Sequence, residues 1–139
     1  MFRNPSASAI RELLAEVRSI AVVGFSPKPE RPSHRIGRAL QGFGYRVIPV
    51  HPALVEGLGE KAYRRLCDLP EAPDLVDVFR APEHVDAVVD DCLAIGVRRL
   101  WLQDGVLNEA AAERAAAAGI TVIMDRCIWR DYRALMDER

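Results

Sequence analysis

The sequence lacks the cysteine pattern of a disulfide scaffold or of a zinc site. Only three of its 139 residues are cysteines, Cys67, Cys92 and Cys127, and no two of them form a Cys-x-x-Cys pair. The three histidines are equally scattered along the chain. An odd number of cysteines without ligand spacing argues against both a disulfide framework and a structural metal site. We therefore expect a protein that binds no metal and works in a reducing compartment.

The sequence also lacks long apolar runs and an excess of charge of either sign. No apolar stretch approaches the roughly 18 residues of a membrane-spanning helix, and the first residues lead into a charged helical pattern that is unlike a signal peptide. Nineteen basic residues against twenty acidic ones give a net charge of −1, which argues against sequence-independent binding of nucleic acid. We expect a cytoplasmic protein that binds neither a membrane nor nucleic acid. A small basic pocket for one anion is compatible with this charge.

Glycine and proline, nine of each, are too few for a linker or a disordered tail. Hydrophobic residues make up 50% and charged residues 28% of the chain, the balance of a folded globular domain. A chain of this length buries enough surface for a hydrophobic core without covalent cross-links. Residues 1–139 are therefore expected to form one domain.

The spacing of apolar residues alternates along the chain between the helical period and short continuous runs. The runs predict strands over residues 20–23, 45–50, 75–79, 100–102 and 120–124, and helical spacing predicts helices over 8–18, 33–40, 82–96, 108–118 and from Ile128 onward. Ser33 is the expected N-cap of the second helix, and Pro49 counts against a regular central strand. Residues 51–74 are expected to be irregular, with one short element near Tyr63. Strands that alternate with helices predict an α/β fold, a single Rossmann-like domain with a doubly wound parallel five-stranded sheet.

The loop after the first predicted strand is the informative segment, because ligands of such sheets bind at the carboxyl ends of the strands. A dinucleotide-binding loop would read G-x-G-x-x-G, yet only Gly24 is in place. The second strand ends in His51 and not in the acidic residue that would bind a ribose. The loop instead carries Lys28 and Arg31 before a helix N-terminus, a setting that favours phosphate. From the residues alone, these two cations could equally be solvated charges of a surface loop.

These segments resemble the stand-alone CoA-binding protein family, which is similar to the N-terminal CoA-binding domain of the succinyl-CoA synthetase alpha subunit. The matching stretches are residues 21–33, 44–52, 76–80, 100–103 and 124–127, within a resemblance that covers about residues 10–130. The proline-rich loop is its most specific part. Two departures stand out: His51 replaces the usual asparagine, and Asp104 replaces an apolar residue.

The resemblance implies a domain that holds the ADP part of coenzyme A near the first two strand ends. Gly24 would allow close backbone approach, Ser26, Lys28 and Arg31 would face phosphates, and Pro52, Phe79 and Arg80 would border the adenine and the ribose. The complete set of implied ligand-binding residues is Gly24, Phe25, Ser26, Pro27, Lys28, Arg31, Ser33, His51, Pro52, Phe79, Arg80 and Gln103.

Three classes of function follow from the sequence. The first is a protein that binds coenzyme A or acyl-CoA without catalysis of its own and acts alone, with a protein partner or as a homo-oligomer. The second is an NAD(P)-binding redox enzyme or redox sensor of the same fold. The third is an acyl-transfer or CoA-ligating enzyme. The first is favoured because the resemblance stops at the CoA-binding domain, and we expect no second domain to carry a phosphorylated histidine.

Two further residues bear on these alternatives. Cys127 ends the fifth strand and precedes a helix, a position that can activate a thiol, but no base can be assigned to it and a packing role is favoured. Asp77 lies within a predicted buried strand, where an unpaired carboxylate is costly. We expect its side chain to cap backbone groups of a helix or loop, with a ligand contact as the alternative.

Overall fold

Five parallel strands, with helices on both faces, form the centre of the computed structural model, which describes residues 1–136. The strands of the main sheet are β1 (Ser19–Val23), β2 (Arg46–Val50), β5 (Leu75–Val78), β6 (Arg99–Leu102) and β7 (Thr121–Ile123). The helices are α1 (Ala7–Glu16), α2 (Pro32–Gly42), α3 (Val85–Ile95), α4 (Glu109–Ala117) and α5 (Ile128–Met136). The predicted α/β fold with a Rossmann-like parallel sheet is thus confirmed.

The strand order is β2-β1-β5-β6-β7, and every neighbouring pair is parallel. The chain leaves β1 to form β2 on one side, and then crosses back to form β5 on the other side of β1. The order therefore reverses between β1 and β5. In open α/β sheets this switch point leaves a crevice outside the carboxyl ends of the strands.

The continuous apolar runs of the sequence arise because the sheet is buried on both faces. Along β5, Val76 and Val78 contribute to one core cluster, which includes residues of α3 and α4. Leu75 contributes to the other cluster, together with residues of α1, α2 and α5. Trp101 in β6 is fully buried in this second cluster.

Pro49 fits the sheet because β2 is an edge strand. Its only strand neighbour in the main sheet is β1, so the missing N–H of proline leaves no strand partner unsatisfied. The outer edge of β2 is partly covered by an isolated bridge between Val50 and Tyr63, which confirms the short element predicted near Tyr63. The sequence did not reveal the small antiparallel hairpin of β3 (Glu56–Gly57) and β4 (Glu60–Lys61) beside it.

Asp77 departs from the sequence-based expectation. It is fully buried within β5, and neither carboxylate oxygen makes a hydrogen bond to any residue in the described part of the chain. It therefore caps no backbone group of a helix or loop. Burial raises its pKa well above the ordinary value of 3.8, because a charged carboxylate without a partner is unstable in an apolar core.

None of the helices within residues 1–136 is long and apolar enough to cross a lipid bilayer.

Candidate functional site

A cleft of about 580 Å³ opens at the carboxyl ends of the strands, at the switch point between β1 and β5. The loop after β1, the N-terminal turn of α2, the segment after β5, the segment after β6 and the start of α5 contribute to its walls. The lining residues are Gly24, Ser26, Arg31, Pro32, Ser33, Arg35, Ile36, Phe79, Arg80, Gln103, Asp104, Val106, Cys127 and Trp129.

Gly24 shapes the floor of the cleft. Its φ is +88°, and a Cβ at this position would lie 2.7 Å from the carbonyl oxygen of Phe79 and 2.9 Å from Cδ of Arg80. The Gly24 N–H donates to the carbonyl oxygen of Val50 over 3.1 Å. Glycine is therefore required here by the close approach of the loop after β1 to the segment after β5, whatever binds above it.

Ser33 is not the N-cap of α2, contrary to the sequence-based expectation. Arg31 occupies the N-cap position and Pro32 the first helical turn, with no side-chain capping bond. Because proline is favoured in the first turn, the helix begins one residue earlier than predicted. The buried hydroxyl of Ser33 instead accepts a hydrogen bond from the Ser26 N–H over 2.9 Å, which fixes the loop after β1 against the helix. Ser26 Oγ in turn accepts from the Lys28 N–H over 3.2 Å.

The cleft carries three arginines that have no ionic partner among residues 1–136. Arg31, Arg35 and Arg80 line it, and none of them forms an ion pair with a residue of the described range 1–136.

Several arginines away from the cleft floor are paired. Arg114 contacts Asp86 and Asp90 at 3.2 Å and 2.9 Å, and Arg126 contacts Asp131 at 2.6 Å. The positive end of the α2 macrodipole adds to the unpaired charge of the cleft. The cleft is therefore suited to an anion.

An exposed ion pair links the segment after β6 to α5 at the edge of the cleft. The two terminal nitrogens of Arg130 each lie 2.9 Å from an oxygen of the Asp104 carboxylate, and this hydrogen-bonded pairing lowers the pKa of Asp104. Nearby, Gln103 is buried, and its Oε1 accepts from the Ile128 N–H over 3.1 Å. The pairing with Arg130 neutralises the negative charge that Asp104 brings to this edge of the cleft.

A smaller cleft of about 320 Å³ adjoins the larger one, and both are lined by Gly24 and Arg80. It lies between the end of β2, the segment that follows Tyr63 and the N-terminal part of α3. Its remaining lining residues are Val23, Val50, Pro52, Arg64, Arg65, Leu66, His84, Ala87, Val88 and Asp91. The two adjoining clefts, which share Gly24 and Arg80, are together called the depression along the carboxyl edge of the sheet.

The structure brings most, but not all, of the sequence-predicted binding residues to these clefts. Gly24, Ser26, Arg31, Ser33, Phe79, Arg80 and Gln103 line the larger cleft, and Pro52 lines the smaller one. Phe25, Pro27, Lys28 and His51 line neither.

The four residues outside the clefts differ in their surroundings. The Phe25 ring is fully buried in the core, while Pro27 and Lys28 are exposed on the loop after β1. Nδ1 of His51 accepts from the Ala53 N–H over 3.0 Å, within its own loop.

Sequence reasoning missed three arginines of the clefts, Arg35, Arg64 and Arg65. Arg35 lies one turn after Arg31 on α2, so helical spacing could have placed both on one face. Arg64 and Arg65 follow a segment without regular periodicity, and the bridge between Val50 and Tyr63 brings that segment beside the end of β2. Within residues 1–136 no group of three histidine, cysteine or acidic side chains is placed to hold a metal ion.

Comparisons with known proteins agree with this geometry. A family model described as a CoA binding domain matches residues 18–133. The protein YneT of Bacillus subtilis is 41% identical over 126 residues, which cover 91% of this chain and 93% of that protein. A hypothetical protein from Pyrococcus horikoshii, known from its structure, superimposes with a TM-score of 0.92 at 33% identity over 98% of both chains.

A larger enzyme is related to the chain over part of its length. The ADP-forming acetate–CoA ligase I of Archaeoglobus fulgidus is 24% identical over 127 residues, which cover 84% of this chain but only 18% of the ligase. The match is thus to a segment that makes up less than a fifth of that enzyme. The resemblance noted in the sequence is confirmed, and the chain belongs to the family of CoA-binding domains.

Proposed function

We propose that this protein binds coenzyme A or an acyl-CoA in the cleft at the carboxyl edge of its sheet. The observation that carries the proposal is the set of three arginines, Arg31, Arg35 and Arg80, that line the cleft without ionic partners in residues 1–136. Unpaired cations around a helix N-terminus attract phosphate. Coenzyme A carries a diphosphate, and membership of the CoA-binding domain family favours this ligand over other anions.

The loop after β1 would bind the diphosphate. Ser26 and Arg31 line the cleft at the start of α2, and the hydrogen bond from Ser26 to Ser33 holds that loop in place before a ligand arrives. A site that is already ordered loses less entropy on binding. Lys28 is exposed beside the cleft, where it would act at longer range. Phe79 and Pro52 would border the adenosine part.

Binding of NAD(P) by a redox enzyme or sensor is the alternative that the proposal opposes. The fold is compatible with a dinucleotide, but the G-x-G-x-x-G pattern and the acidic residue after the second strand are missing. In place of the further glycines, the loop after β1 contains Pro27 and Pro29, and Pro32 begins α2. We therefore expect CoA to bind more tightly than NAD.

Parallel calorimetric titrations with CoA, acetyl-CoA, ADP and NAD test this proposal. CoA and acetyl-CoA should bind tightest and ADP more weakly, because ADP lacks the pantetheine arm and the 3′-phosphate. NAD should bind weakest. Equal or tighter binding of NAD than of CoA would overturn the assignment.

We further propose that the isolated chain performs no CoA ligation or acyl transfer. The chain corresponds to 18% of the related ligase. The Cys127 thiol has no hydrogen-bonded imidazole or carboxylate among the described residues, and a nucleophilic cysteine needs such a base or a comparable means of activation. The protein would instead carry or sense CoA, or deliver it to a protein partner.

Incubation of the pure protein with CoA, a nucleoside triphosphate, magnesium and a panel of short carboxylic acids tests the second proposal. No acyl-CoA should form above the level of a buffer control. Turnover that disappears in Cys127→Ser or in His51→Ala would identify an enzyme and contradict the proposal.

A further inference from the structure

We propose that the smaller cleft binds a phosphate monoester on the adenosine ribose, so that the protein selects CoA over analogues that lack the 3′-phosphate. This inference rests on the proposed function and deepens it, because it assigns a second phosphate subsite to the same depression. The selecting residue is Arg64, which neither the sequence reasoning nor the family resemblance singled out.

The position of the smaller cleft fits the adenosine end of a bound CoA. Gly24 and Arg80 line both clefts, so a ligand whose diphosphate lies at the start of α2 can extend across Gly24 without leaving the edge of the sheet. The walls beyond this point include the buried side chains of Val50, Leu66 and Val88. These apolar walls suit the flat faces of an adenine ring.

The charges around the smaller cleft fit a phosphate monoester. Three arginines and His84 line it, against a single carboxylate, Asp91. Asp91 lies 3.5 Å from Arg65 and so engages one of the arginines. Arg64 and Arg80 make no ion pair with any residue that the structure describes. A phosphate monoester, with close to two negative charges at neutral pH, would satisfy both.

Arg64 is held in a suitable orientation before any ligand binds. Its Nε donates a hydrogen bond to the carbonyl oxygen of Pro52 over 3.1 Å, while its two terminal nitrogens make no hydrogen bond within residues 1–136. The guanidinium is therefore tied to the loop after β2 by one nitrogen and leaves the other two for a ligand. Such a fork matches the geometry of phosphate oxygens.

The arrangement distinguishes CoA from other adenine nucleotides. ADP and NAD offer a diphosphate but no monoester on the ribose, whereas CoA offers both, separated by the ribose. Two basic clefts that adjoin at Gly24 and Arg80 match this second layout. Dephospho-CoA differs from CoA only in the missing 3′-phosphate, which makes it the appropriate probe.

Calorimetric titration of the full chain with CoA and with dephospho-CoA tests the inference. Wild-type protein should bind CoA about 10- to 100-fold more tightly, as expected for the loss of a charge-assisted contact. Arg64→Gln should weaken CoA binding by at least several-fold and leave dephospho-CoA binding unchanged, so that the preference shrinks. Arg98→Gln, which removes an exposed arginine at the opposite end of the sheet, is the matched control. It should preserve the wild-type preference for CoA over dephospho-CoA.

The outcomes separate this inference from the proposed function. Equal binding of CoA and dephospho-CoA by the wild-type protein would overturn the phosphate subsite and leave CoA binding intact. A preference that survives in Arg64→Gln would place the selection elsewhere and overturn the role of Arg64. Absence of binding by both compounds would overturn the proposed function and the inference together. Since Arg64 is exposed, its replacement should leave the fold intact, which circular dichroism checks.

Discussion

Asp77 is an ionisable residue placed where ionisation is costly. The residue lies in β5 between β1 and β6, paired with Val22 and Trp101, and it is fully buried. No hydrogen bond within the described range compensates for the lost hydration, and burial raises its pKa well above 3.8. The group is therefore protonated in the folded protein under conditions in which it is ionised in the unfolded chain.

Asp77→Asn should flatten the dependence of stability on pH. The folded state retains a proton that the unfolded state releases above about pH 4, so the free energy of unfolding of the wild-type protein falls as pH rises from there toward the raised pKa. The slope from one such group is at most about 1.4 kcal/mol per pH unit. Asparagine cannot ionise and removes this contribution. Urea unfolding at several pH values between 5 and 8 measures the difference.

Glu71→Gln provides the control for this prediction. Glu71 is exposed and makes no ion pair within residues 1–136, so its replacement should leave the pH profile of the wild-type protein unchanged. Parallel pH profiles for the wild-type protein and Asp77→Asn would show that Asp77 does not hold its proton in the fold.

Gly24→Ala should destabilise the protein by at least about 1 kcal/mol, because a side chain at positive φ is strained. The added methyl group would also meet the Phe79 carbonyl oxygen at 2.7 Å. Gly42→Ala is the matched control, since a Cβ there meets nothing within 4 Å and the residue lies in α2. It should be neutral or stabilising by up to about 1 kcal/mol. Equal urea midpoints for the two variants would contradict this account of Gly24.

Among the helices and strands, α2 contributes both to the hydrophobic core and to the candidate binding site. One face of the helix packs in the core through Ile36 and Leu40, while its first turns carry Arg31 and Arg35 into the larger cleft. Because one helix turn separates these arginines, both can face one phosphate group or two adjacent ones. Packing of the apolar side of α2 in the core therefore fixes the position of the arginines that line the cleft.

The double variant Arg31→Gln with Arg35→Gln should weaken CoA binding about 10-fold or more, since two charge-assisted contacts are lost. Its affinity should also depend less on salt than that of the wild-type protein, because fewer charges meet the ligand. Arg38→Gln is the control on the same helix: Arg38 is exposed and lines neither cleft. Calorimetry at two salt concentrations measures both effects. Wild-type affinity in the double variant would show that Arg31 and Arg35 do not contribute to CoA binding.

Helices and strands could be predicted from the sequence where apolar spacing or a terminating residue gives a local pattern. Strands such as β1 and β5 are mostly apolar because both faces of the sheet are covered. Helix α3 ends at Gly96 because that residue adopts φ +82°. The hairpin of β3 and β4 has strands of only two residues, too short to show any period. Ser33 was misassigned as a cap because the preceding proline had already started the helix.

At the scale of the whole molecule, the site depends on contacts between distant parts of the chain. The loop after β1 could be recognised from its residues, because its prolines and cations are neighbours in sequence. Arg64 could not, since it reaches the depression only through the pairing of Val50 with Tyr63. The Arg130 contact that neutralises Asp104 likewise joins residues 26 positions apart. Such contacts follow from the topology, and no local pattern encodes them.

A crystal structure of the protein grown with saturating CoA would show whether CoA binds along the carboxyl edge of the sheet. We expect density for the diphosphate at the start of α2, beside Arg31 and Arg80. We also expect density for the adenosine in the smaller cleft, with the 3′-phosphate next to Arg64. A CoA molecule bound elsewhere on the protein, or a cleft that stays empty at saturating CoA, would contradict the proposed binding site.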